Sequence, residues 1–206
     1  MNVAVITADI VNSTKLPKAE FKKLSKTLGV LLQEHQHEFF RGDSFQVFVK
    51  NPADALQVLL QARTATVKLS SRDIITDIRA SIGISNARLP IKSLSTASGD
   101  AFTLSGRAFD NLGKDRRLTI VCDEKQAAAN LALQVISTFI DYIFYRLTVK
   151  QAAVVLELLM NRTQTETAKR LKKSQATVHK HTQSAGWPEI EKLLVNYKEV
   201  IKLIET

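Results

Sequence analysis

Two aspartates occupy positions where a pair of carboxylates could hold a divalent cation. Asp9 follows the apolar run 3–8, which is typical of a buried strand. Asp43 belongs to a Gly42-Asp43 dipeptide, the favoured signal for a tight hairpin turn. If the strand lies beside the hairpin, the two carboxylates meet at one edge of a sheet and can bind a cation against phosphate oxygens. The alternative is that Asp43 only forms the turn and Asp9 only caps a helix.

The elements that must position these aspartates follow from hydrophobic periodicity. Apolar residues at helical spacing predict helices over 17–33, 52–69, 101–112 and 124–144, and alternation predicts strands over 3–8, 39–40, 45–49, 78–85 and 118–121. The order is β-α-β-β-α-β followed by α-β-α. This order predicts an α+β, ferredoxin-like domain over residues 1–146, in which the first strand and the central hairpin are neighbours.

Composition narrows the class of protein and of partner. The chain has 206 residues, 45% of them apolar, and carries a formal charge of +9, which favours polyanionic partners. No apolar run reaches the length of a membrane span and the start lacks the features of a signal peptide, so we expect a cytoplasmic protein with no membrane partner. The single cysteine, Cys122, is predicted to be a buried thiol at a strand end.

A different pattern occupies residues 147–206. Thr148 can cap a short amphipathic helix, Thr163 and Glu166 have the spacing of a capping box, and Ser174 can cap a third helix. Two short helices with a tight turn between them predict an all-α helix-turn-helix domain that binds double-stranded DNA. A closing helix over 189–204 follows, and it would pack on this unit or pair two subunits.

The predicted DNA-reading surface lies around the second short helix of this unit. Gln175 can read adenine, and Ala176 and the Thr177 methyl group can touch a thymine methyl group. Basic residues flank the turn between the two helices, where they can bind phosphates. The alternative is a solvated basic face on a structural helical domain. The predicted DNA-binding residues are Lys169, Arg170, Lys172, Lys173, Ser174, Gln175, Ala176, Thr177, Lys180 and His181.

Four stretches of the chain, taken in order, resemble the landmarks of class III nucleotide cyclase domains. They are 3–14, 41–46, 78–84 and 99–108. Together with the C-terminal unit that ends in Ala185-Gly186-Trp187, they make the whole chain resemble the SatD family of bacterial proteins. The resemblance implies that Asp9 and Asp43, with the Ile10 carbonyl, bind Mg²⁺ with a nucleotide. Arg107 matches the arginine that stabilises the charged transition state, and it is the one catalytic candidate.

The resemblance breaks at the positions that recognise the base. Phe39 replaces the lysine that grips the purine, Thr96 stands where its polar partner falls, and Thr103 replaces an asparagine. These changes predict a domain that binds a nucleotide or dimerises and that does not cyclise ATP or GTP efficiently. The implied nucleotide-binding residues are Asn12, Ser13, Thr14, Phe39, Thr96, Thr103 and Arg107. For Arg107 the alternative is a solvent-facing helix residue beside Asp110.

Three functional hypotheses follow. The first is a homodimeric DNA-binding transcriptional regulator, because cyclase-type domains and helix-turn-helix units both work as two-fold dimers. The second is a Mg²⁺-dependent nucleotidyl cyclase or related phosphoryl-transfer enzyme. The third is an adaptor whose helical tail binds another protein.

Overall fold

The computed structural model describes residues 2–40 and 42–205, so Arg41 of the hairpin lies outside the described residues. The described part of the chain forms five strands and eight α-helices. The strands are β1 (Val3–Val11), β2 (Gln36–Phe40), β3 (Ser44–Val49), β4 (Asp77–Ser85) and β5 (Leu118–Cys122). The helices are α1 (Lys18–Leu32), α2 (Ala55–Val67), α3 (Asp100–Asp110), α4 (Ala127–Tyr145), α5 (Val149–Leu159), α6 (Gln164–Leu171), α7 (Gln175–Ser184) and α8 (Trp187–Glu205).

The strands form one sheet in the order β2-β3-β1-β4-β5. The pairs β2–β3, β3–β1 and β1–β4 are antiparallel, and β5 joins the edge parallel to β4. The first four strands have the ferredoxin-like order predicted from the sequence, and β1 lies beside β3 as expected. In this register Asp9 lies opposite Ser44, the residue after Asp43. The topology therefore brings the two aspartates to the same end of the sheet.

The main hydrophobic core lies on one face of the sheet. Alternate residues of β1, β3, β4 and β5 point into it, as period-2 patterning requires, and meet the apolar faces of α1, α2 and α4. Leu24 and Leu28 of α1 and Leu133 of α4 are fully buried there. Cys122 lies in the same core at the end of β5, as predicted, and burial raises the pKa of its thiol to about 11. The thiol is therefore protonated at neutral pH and chemically quiet.

Helix α3 covers the opposite face and approaches the sheet very closely. Gly83 on β4 makes this approach possible, because a Cβ atom there would lie 2.5 Å from the Ser105 backbone nitrogen and 2.6 Å from the Ala101 carbonyl oxygen. The Ser81 hydroxyl donates to the Ser105 carbonyl at 2.7 Å, and the Ser105 hydroxyl donates to Thr7 Oγ1 at 2.8 Å. Small and hydroxylated side chains thus hold α3 against β4 and β1.

We predict that Gly83→Ala destabilises the protein by about 3 kcal/mol, because the new methyl group collides with helix backbone that cannot move aside. Gly106→Ala, on α3 itself, is the matched control, since a Cβ atom at Gly106 meets nothing within 4 Å. Gly106→Ala should be neutral or stabilise by about 0.5–1 kcal/mol. Urea unfolding of both variants measures the difference, and equal stability of the two would contradict the close α3–β4 contact.

Helices α5, α6 and α7 pack into a compact unit with a small core of its own. Val154, Leu158, Ala168 and Val178 form that core. Thr148 and Thr163 make capping boxes with Gln151 and Glu166, and Ser174 caps α7 by accepting from the Thr177 N–H at 3.1 Å. The three predicted caps are therefore confirmed.

The main core nevertheless continues across the boundary predicted at residues 146 and 147. Ala152, Val155 and Leu159 of α5 belong to the core that begins under the sheet. Gln57 and Gln61, one turn apart on α2, both donate to the Leu159 carbonyl oxygen at 2.9 Å. The three-helix unit is thus joined to α2 by apolar packing and by hydrogen bonds at the end of α5.

The last helix differs from its prediction in where it begins and in what it covers. The closing helix was predicted over 189–204, but Trp187 and Pro188 already form the first turn of α8, where proline is well tolerated. The buried face of α8 packs mainly on α4, with Ile190, Tyr197 and Ile201 in the main core. The buried Tyr197 hydroxyl donates to the Pro52 carbonyl oxygen at 2.8 Å. This helix therefore closes the α+β core more than it closes the three-helix unit.

Candidate functional site

Asp9 and Asp43 line the same cleft at the end of β1. The Ile10 N–H donates to the Asp43 carbonyl oxygen at 3.1 Å, which fixes the two backbones side by side. Burial raises the pKa of Asp9, and repulsion from Asp43 adds to this rise. The cleft has a volume of about 670 Å³ and includes Ile10. The predicted meeting of the two aspartates is thus present in the structure.

The segment after β1 closes the cleft on one side. Asn12 has a left-handed backbone conformation with φ 58°, which turns the chain into a short 3-10 turn over Ser13–Lys15. The Asn12 side chain donates to the Ile75 carbonyl oxygen at 2.7 Å and anchors the turn. The Ser13 hydroxyl donates to Asp43 Oδ2 at 2.6 Å. Asn12, Ser13 and Thr14 all line the cleft, where the sequence had placed them as nucleotide-binding candidates.

Arg79, which the sequence did not single out, lies at the centre of the cleft. It pairs with Asp9 in the β1–β4 register, and its Nη1 lies 3.6 Å from Asp9 Oδ2. Its Nη2 donates to the carbonyl oxygens of Phe109 and Leu112 at 3.1 and 3.0 Å, and the guanidinium stacks on the Phe109 ring at 4.7 Å. Its buried Nε has no hydrogen-bond partner among the described residues. The guanidinium is therefore held firmly beside the carboxylates with one donor unused.

The charges around the cleft suit a phosphate with a hard cation. Arg79, Lys114 and Arg117 bring positive charge to the same space as the two aspartates. Asp9, Asp43 and the Ile10 carbonyl would supply part of the oxygen shell that Mg²⁺ prefers, and water and phosphate oxygens would complete it. Among the described residues no group of three or more His, Cys, Asp or Glu could hold a metal ion alone. The donor set thus fits a cation that is shared with a phosphate ligand.

Burial is the largest influence on the pKa of Asp9. Partial burial and the nearby Asp43 raise its pKa above the ordinary value, and attraction to Arg79 offsets this only in part. A carboxyl group with a raised pKa disfavours the folded state once the group ionises. This penalty is absent below the pKa of the unfolded chain and fully present above the pKa of the folded one. Asp9 is therefore kept at some cost to stability, which is common at functional sites.

We predict that Asp9→Asn raises the melting temperature at pH 7 by about 1–2 °C, a small change because the carboxylate is half solvated. The difference from the native protein should vanish at acidic pH, where Asp9 is protonated. Mg²⁺ should raise the melting temperature of the native protein but not of Asp9→Asn, because only the folded native site binds the ion.

Asp110→Asn is the matched control for this experiment, because Asp110 lines the same cleft on α3. It should keep the response to Mg²⁺. A lower melting temperature for Asp9→Asn at pH 7 would show that the ion pair with Arg79 outweighs burial, and it would contradict the prediction.

The position predicted to replace the purine-gripping lysine lies on the other side of the sheet. Phe39 pairs with Phe45 in the β2–β3 register, and the two rings pack 5.3 Å apart against the main core. Its neighbour Phe40 instead lines a second cavity of about 600 Å³ on the α3 face, with Gln46 and Phe102. Because side chains alternate along a strand, a shift of one residue exchanges the two faces. Phe39 therefore packs on the core side of the sheet, while the next residue, Phe40, lines the cavity on the α3 face. The nucleotide contact of Phe39 stays a prediction.

Thr96 and Thr103 lie near this second cavity without lining it. Both are exposed, and their hydroxyls donate to nearby backbone carbonyls, Thr96 to Ser93 and Thr103 to Gly99. The neighbouring segment is held instead by Glu38 of β2, whose carboxylate accepts from the Ser93 hydroxyl and the Leu94 N–H at 2.8 Å. These hydrogen bonds lower the pKa of Glu38. Glu38 was not identified from the sequence, because its partners are 55 or more residues away.

Arg107 is exposed on α3, away from the cleft with the two aspartates. Its side chain makes no hydrogen bond or ion pair with any residue in 2–40 or 42–205, and it lines neither cavity. A single chain therefore does not bring Arg107 to Asp9 and Asp43. The catalytic role implied by the resemblance would need Arg107 to come from a second copy of the chain.

The predicted DNA-binding residues form one basic surface over α6, the turn and α7. Lys169, Lys172, Lys173 and Lys180 are exposed and make no ion pair with the described residues. No acidic residue occurs from 167 to 188. Gln175 and Ala176 are exposed in the first turn of α7, while Thr177 and His181 are half-buried. The first turn of α7 is therefore open to solvent and flanked by cations.

Some members of this set also have structural contacts. Ser174 caps α7, and the Gln175 Nε2 donates to Thr165 Oγ1 at 3.2 Å. Lys172 ends α6 in a left-handed conformation with φ 52°, a place where glycine is usual, so the tight turn forms without glycine at a modest cost. The Arg170 Nε donates to the buried Glu157 carboxylate at 2.8 Å, which also accepts from Arg162 at 2.6 Å. Arg170 thus ties α6 to α5, and only the exposed part of its guanidinium is free for phosphate.

Comparisons with known proteins give only distant similarities. No protein-family model matches the chain and no curated protein matches it. Among solved structures, the chain is similar to the catalytic core of a rhodopsin-guanylyl cyclase with converted specificity in complex with ATPαS, at a TM-score of 0.44 and 16% identity over 58% of this chain and 76% of that one.

Two further solved structures overlap the chain to a similar extent. The active GGEEF domain of a diguanylate cyclase from Vibrio cholerae gives a TM-score of 0.43 at 14% identity, over 59% of this chain and 83% of that one. A bacterial light-regulated adenylyl cyclase gives a TM-score of 0.41 at 17% identity, over 58% of this chain and 74% of that one. Because identity is low and the overlap is loose, these neighbours say nothing about the activity of this chain.

Proposed function

We propose that this protein is a cytoplasmic, homodimeric DNA-binding regulator in which helices α5 to α7 form a helix-turn-helix domain and the ferredoxin-like domain binds a nucleotide with Mg²⁺. The observation that carries the proposal is the open first turn of α7 with the exposed lysines that flank it. Lys169, Lys172, Lys173 and Lys180 make no ion pair with the described residues, and no acidic residue occurs from 167 to 188. Basic residues held apart from carboxylates attract a polyanion.

The geometry of α6 and α7 supports the insertion of α7 into the major groove of DNA. The two helices are joined by three residues, Lys172, Lys173 and Ser174, and their apolar sides share the small core with α5. Gln175 and Ala176 then project from the start of α7, the part of a recognition helix that contacts base edges. The three free lysines nearest them, Lys169, Lys172 and Lys173, come from α6 and the turn and would bind phosphates.

The contact between the ferredoxin-like domain and the three-helix unit supports a regulatory role for the nucleotide site. Helix α2 packs on the sheet that carries Asp9 and also caps the end of α5 through Gln57 and Gln61. The turn after β1, which lines the aspartate cleft, is anchored by a hydrogen bond to Ile75, just before β4 begins at Asp77. A ligand that orders this cleft would therefore act on elements in contact with the three-helix unit.

We predict that the protein binds promoter DNA near its own gene in a strongly salt-dependent way, and that Gln175→Ala with Lys180→Ala weakens this binding on the order of 100-fold. Lys26→Ala, which removes an exposed charge from α1, is the matched control and should change little. Mobility shift and footprinting over a range of salt concentrations measure both. Affinity no higher than for random DNA would contradict the proposal, and shallow salt dependence would favour a protein partner.

A second function is favoured by the aspartate pair itself, namely Mg²⁺-dependent nucleotidyl cyclisation or related phosphoryl transfer. In such chemistry Mg²⁺ would bind phosphate oxygens and neutralise developing charge, with Arg79 beside it. Phe39, which stands where the resemblance has a base-gripping lysine, and the placement of Arg107 outside the aspartate cleft argue against efficient turnover.

We predict that incubation with each NTP and Mg²⁺ or Mn²⁺ gives no product above an Asp43→Ala control, while isothermal titration shows nucleotide binding to the native protein. Loss of binding in Asp43→Ala follows because Asp43 and Ser13 shape the cleft. Product formed by the native protein and not by the variant would instead establish the enzyme.

A further inference from the structure

Helix α4 carries an apolar stripe that stays exposed in the described part of the chain. Its buried side, with Leu133, Ile136 and Ile140, packs on the sheet. Its outer side exposes large apolar side chains at successive helical turns. They are Leu131 at 63%, Val135 at 48%, Phe139 at 56%, Tyr142 at 55% and Tyr145 at 92% exposure. We call these five residues the α4 stripe.

The five residues of the α4 stripe carry no charge, and Arg146 stacks on the Tyr142 ring, 4.1 Å from its centroid, at the C-terminal end of the stripe. No Lys, Arg, Asp or Glu occurs between Lys125 and Asp141, and Asp141 turns away from the stripe to pair with Arg63 at 2.8 Å. In a chain with a formal charge of +9, most exposed helical faces carry lysine or arginine. A second copy of this chain can approach without like-charge repulsion along a surface of this kind. Because both copies present the same uncharged stripe, the surface is complementary to itself.

The area of the α4 stripe is that of a small specific interface. Aromatic side chains bury about 150–250 Å² each when they are fully covered, so three aromatic and two aliphatic residues at these exposures offer on the order of 500 Å². Two copies would then bury roughly 1,000 Å², near the lower limit for a specific protein interface. An apolar patch of this size on a monomer commonly marks an interaction site.

The length of α4 fits a second copy in an antiparallel arrangement. Nineteen residues span about 28 Å, and the three-helix unit begins directly after the C-terminal end of α4 at Thr148. Antiparallel pairing of two α4 helices would separate the two units by about one helix length. Half-sites on DNA recur every ~34 Å, so this separation suits two recognition helices on one face of DNA. This step rests on the proposed DNA-binding function, whereas the apolar area does not.

We propose that the α4 stripe is the dimer interface of this protein and that it pairs antiparallel with the α4 stripe of a second copy. Val135 then lies opposite Phe139 of the partner subunit, near the two-fold axis, and Leu131 lies opposite Tyr142 and Tyr145 of the partner subunit. The same helix is the one element in the described part of the chain that is long and apolar enough to cross a membrane by composition, with a mean hydropathy of 1.4. A lipid surface is therefore the competing occupant that the experiment must separate.

Sedimentation velocity over a wide concentration range tests the interface. Phe139→Glu should weaken the dimer on the order of 100-fold, because the glutamate would be buried against apolar side chains. Val30→Glu is the matched control, since Val30 is also on a helix and is 57% exposed, close to the 56% of Phe139. Val30→Glu should remain a dimer. Circular dichroism melting of both variants confirms that each is folded.

A mixing experiment tests the antiparallel register. Val135→Lys and Phe139→Glu should each be monomeric alone, and a mixture of the two should form a heterodimer because the lysine meets the glutamate of the partner subunit. A native protein that is monomeric, or a Phe139→Glu protein that remains dimeric, would overturn the proposal. Absence of the heterodimer would overturn the register.

Two further measurements separate this proposal from its competitor and from the DNA-binding function. Flotation with phosphatidylglycerol and phosphatidylcholine vesicles should show no binding, and binding that Phe139→Glu abolishes would assign the stripe to lipid instead. On DNA, Phe139→Glu should still bind a single half-site but lose cooperative binding to two. A dimer that dissociates as expected while no variant binds DNA would leave the interface established and the DNA-binding function refuted.

Discussion

The guanidinium of Arg63 is the charge on which the arrangement of the α+β core depends. Its Nε and Nη2 donate to the Asp77 carboxylate at 3.0 and 2.8 Å, and its Nη1 donates to Asp141 at 2.8 Å, in a site where Arg63 is 0% exposed. Burial alone would lower the pKa of Arg63, but the two aspartates raise it and keep the group charged. Removing Arg63 would leave the two largely buried carboxylates of Asp77 and Asp141 without their cation, which is strongly destabilising.

This charge cluster fixes four elements at once. Arg63 belongs to α2, Asp77 begins β4 and Asp141 lies on α4, while the second Asp141 oxygen accepts from the N–H groups of Arg117 and Leu118 at the start of β5. The Phe144 ring lies 4.6 Å from the guanidinium and closes the site. The position of β4 in turn sets where Arg79 meets Asp9. The geometry of the candidate site is therefore inherited from a cluster in the core behind it.

The same core carries the three-helix unit. Helix α2 contacts the sheet on one side and the end of α5 on the other, and α8 returns over α4. Only Arg146, Leu147 and Thr148 separate α4 from α5. The three-helix unit is therefore connected to the α+β core by a short segment and by packed contacts. A change in the position of α2 or α4 would be transmitted to α7 through packed contacts, which is what the proposed coupling between a ligand site and DNA requires.

The amino-acid sequence by itself determined the elements, the caps and the pairing of Asp9 with Asp43. Those features depend on local periodicity, on side chains within a few residues, and on a topology that the order of elements restricts to few choices. Tertiary structure alone decided the rest. It placed Arg63 in the core and Arg79 beside Asp9, it turned Phe39 inward and Phe40 outward, and it joined α5 and α8 to the main core. Each of these outcomes depends on partners distant in the sequence or on a one-residue choice of strand face, and local periodicity contains no information about either.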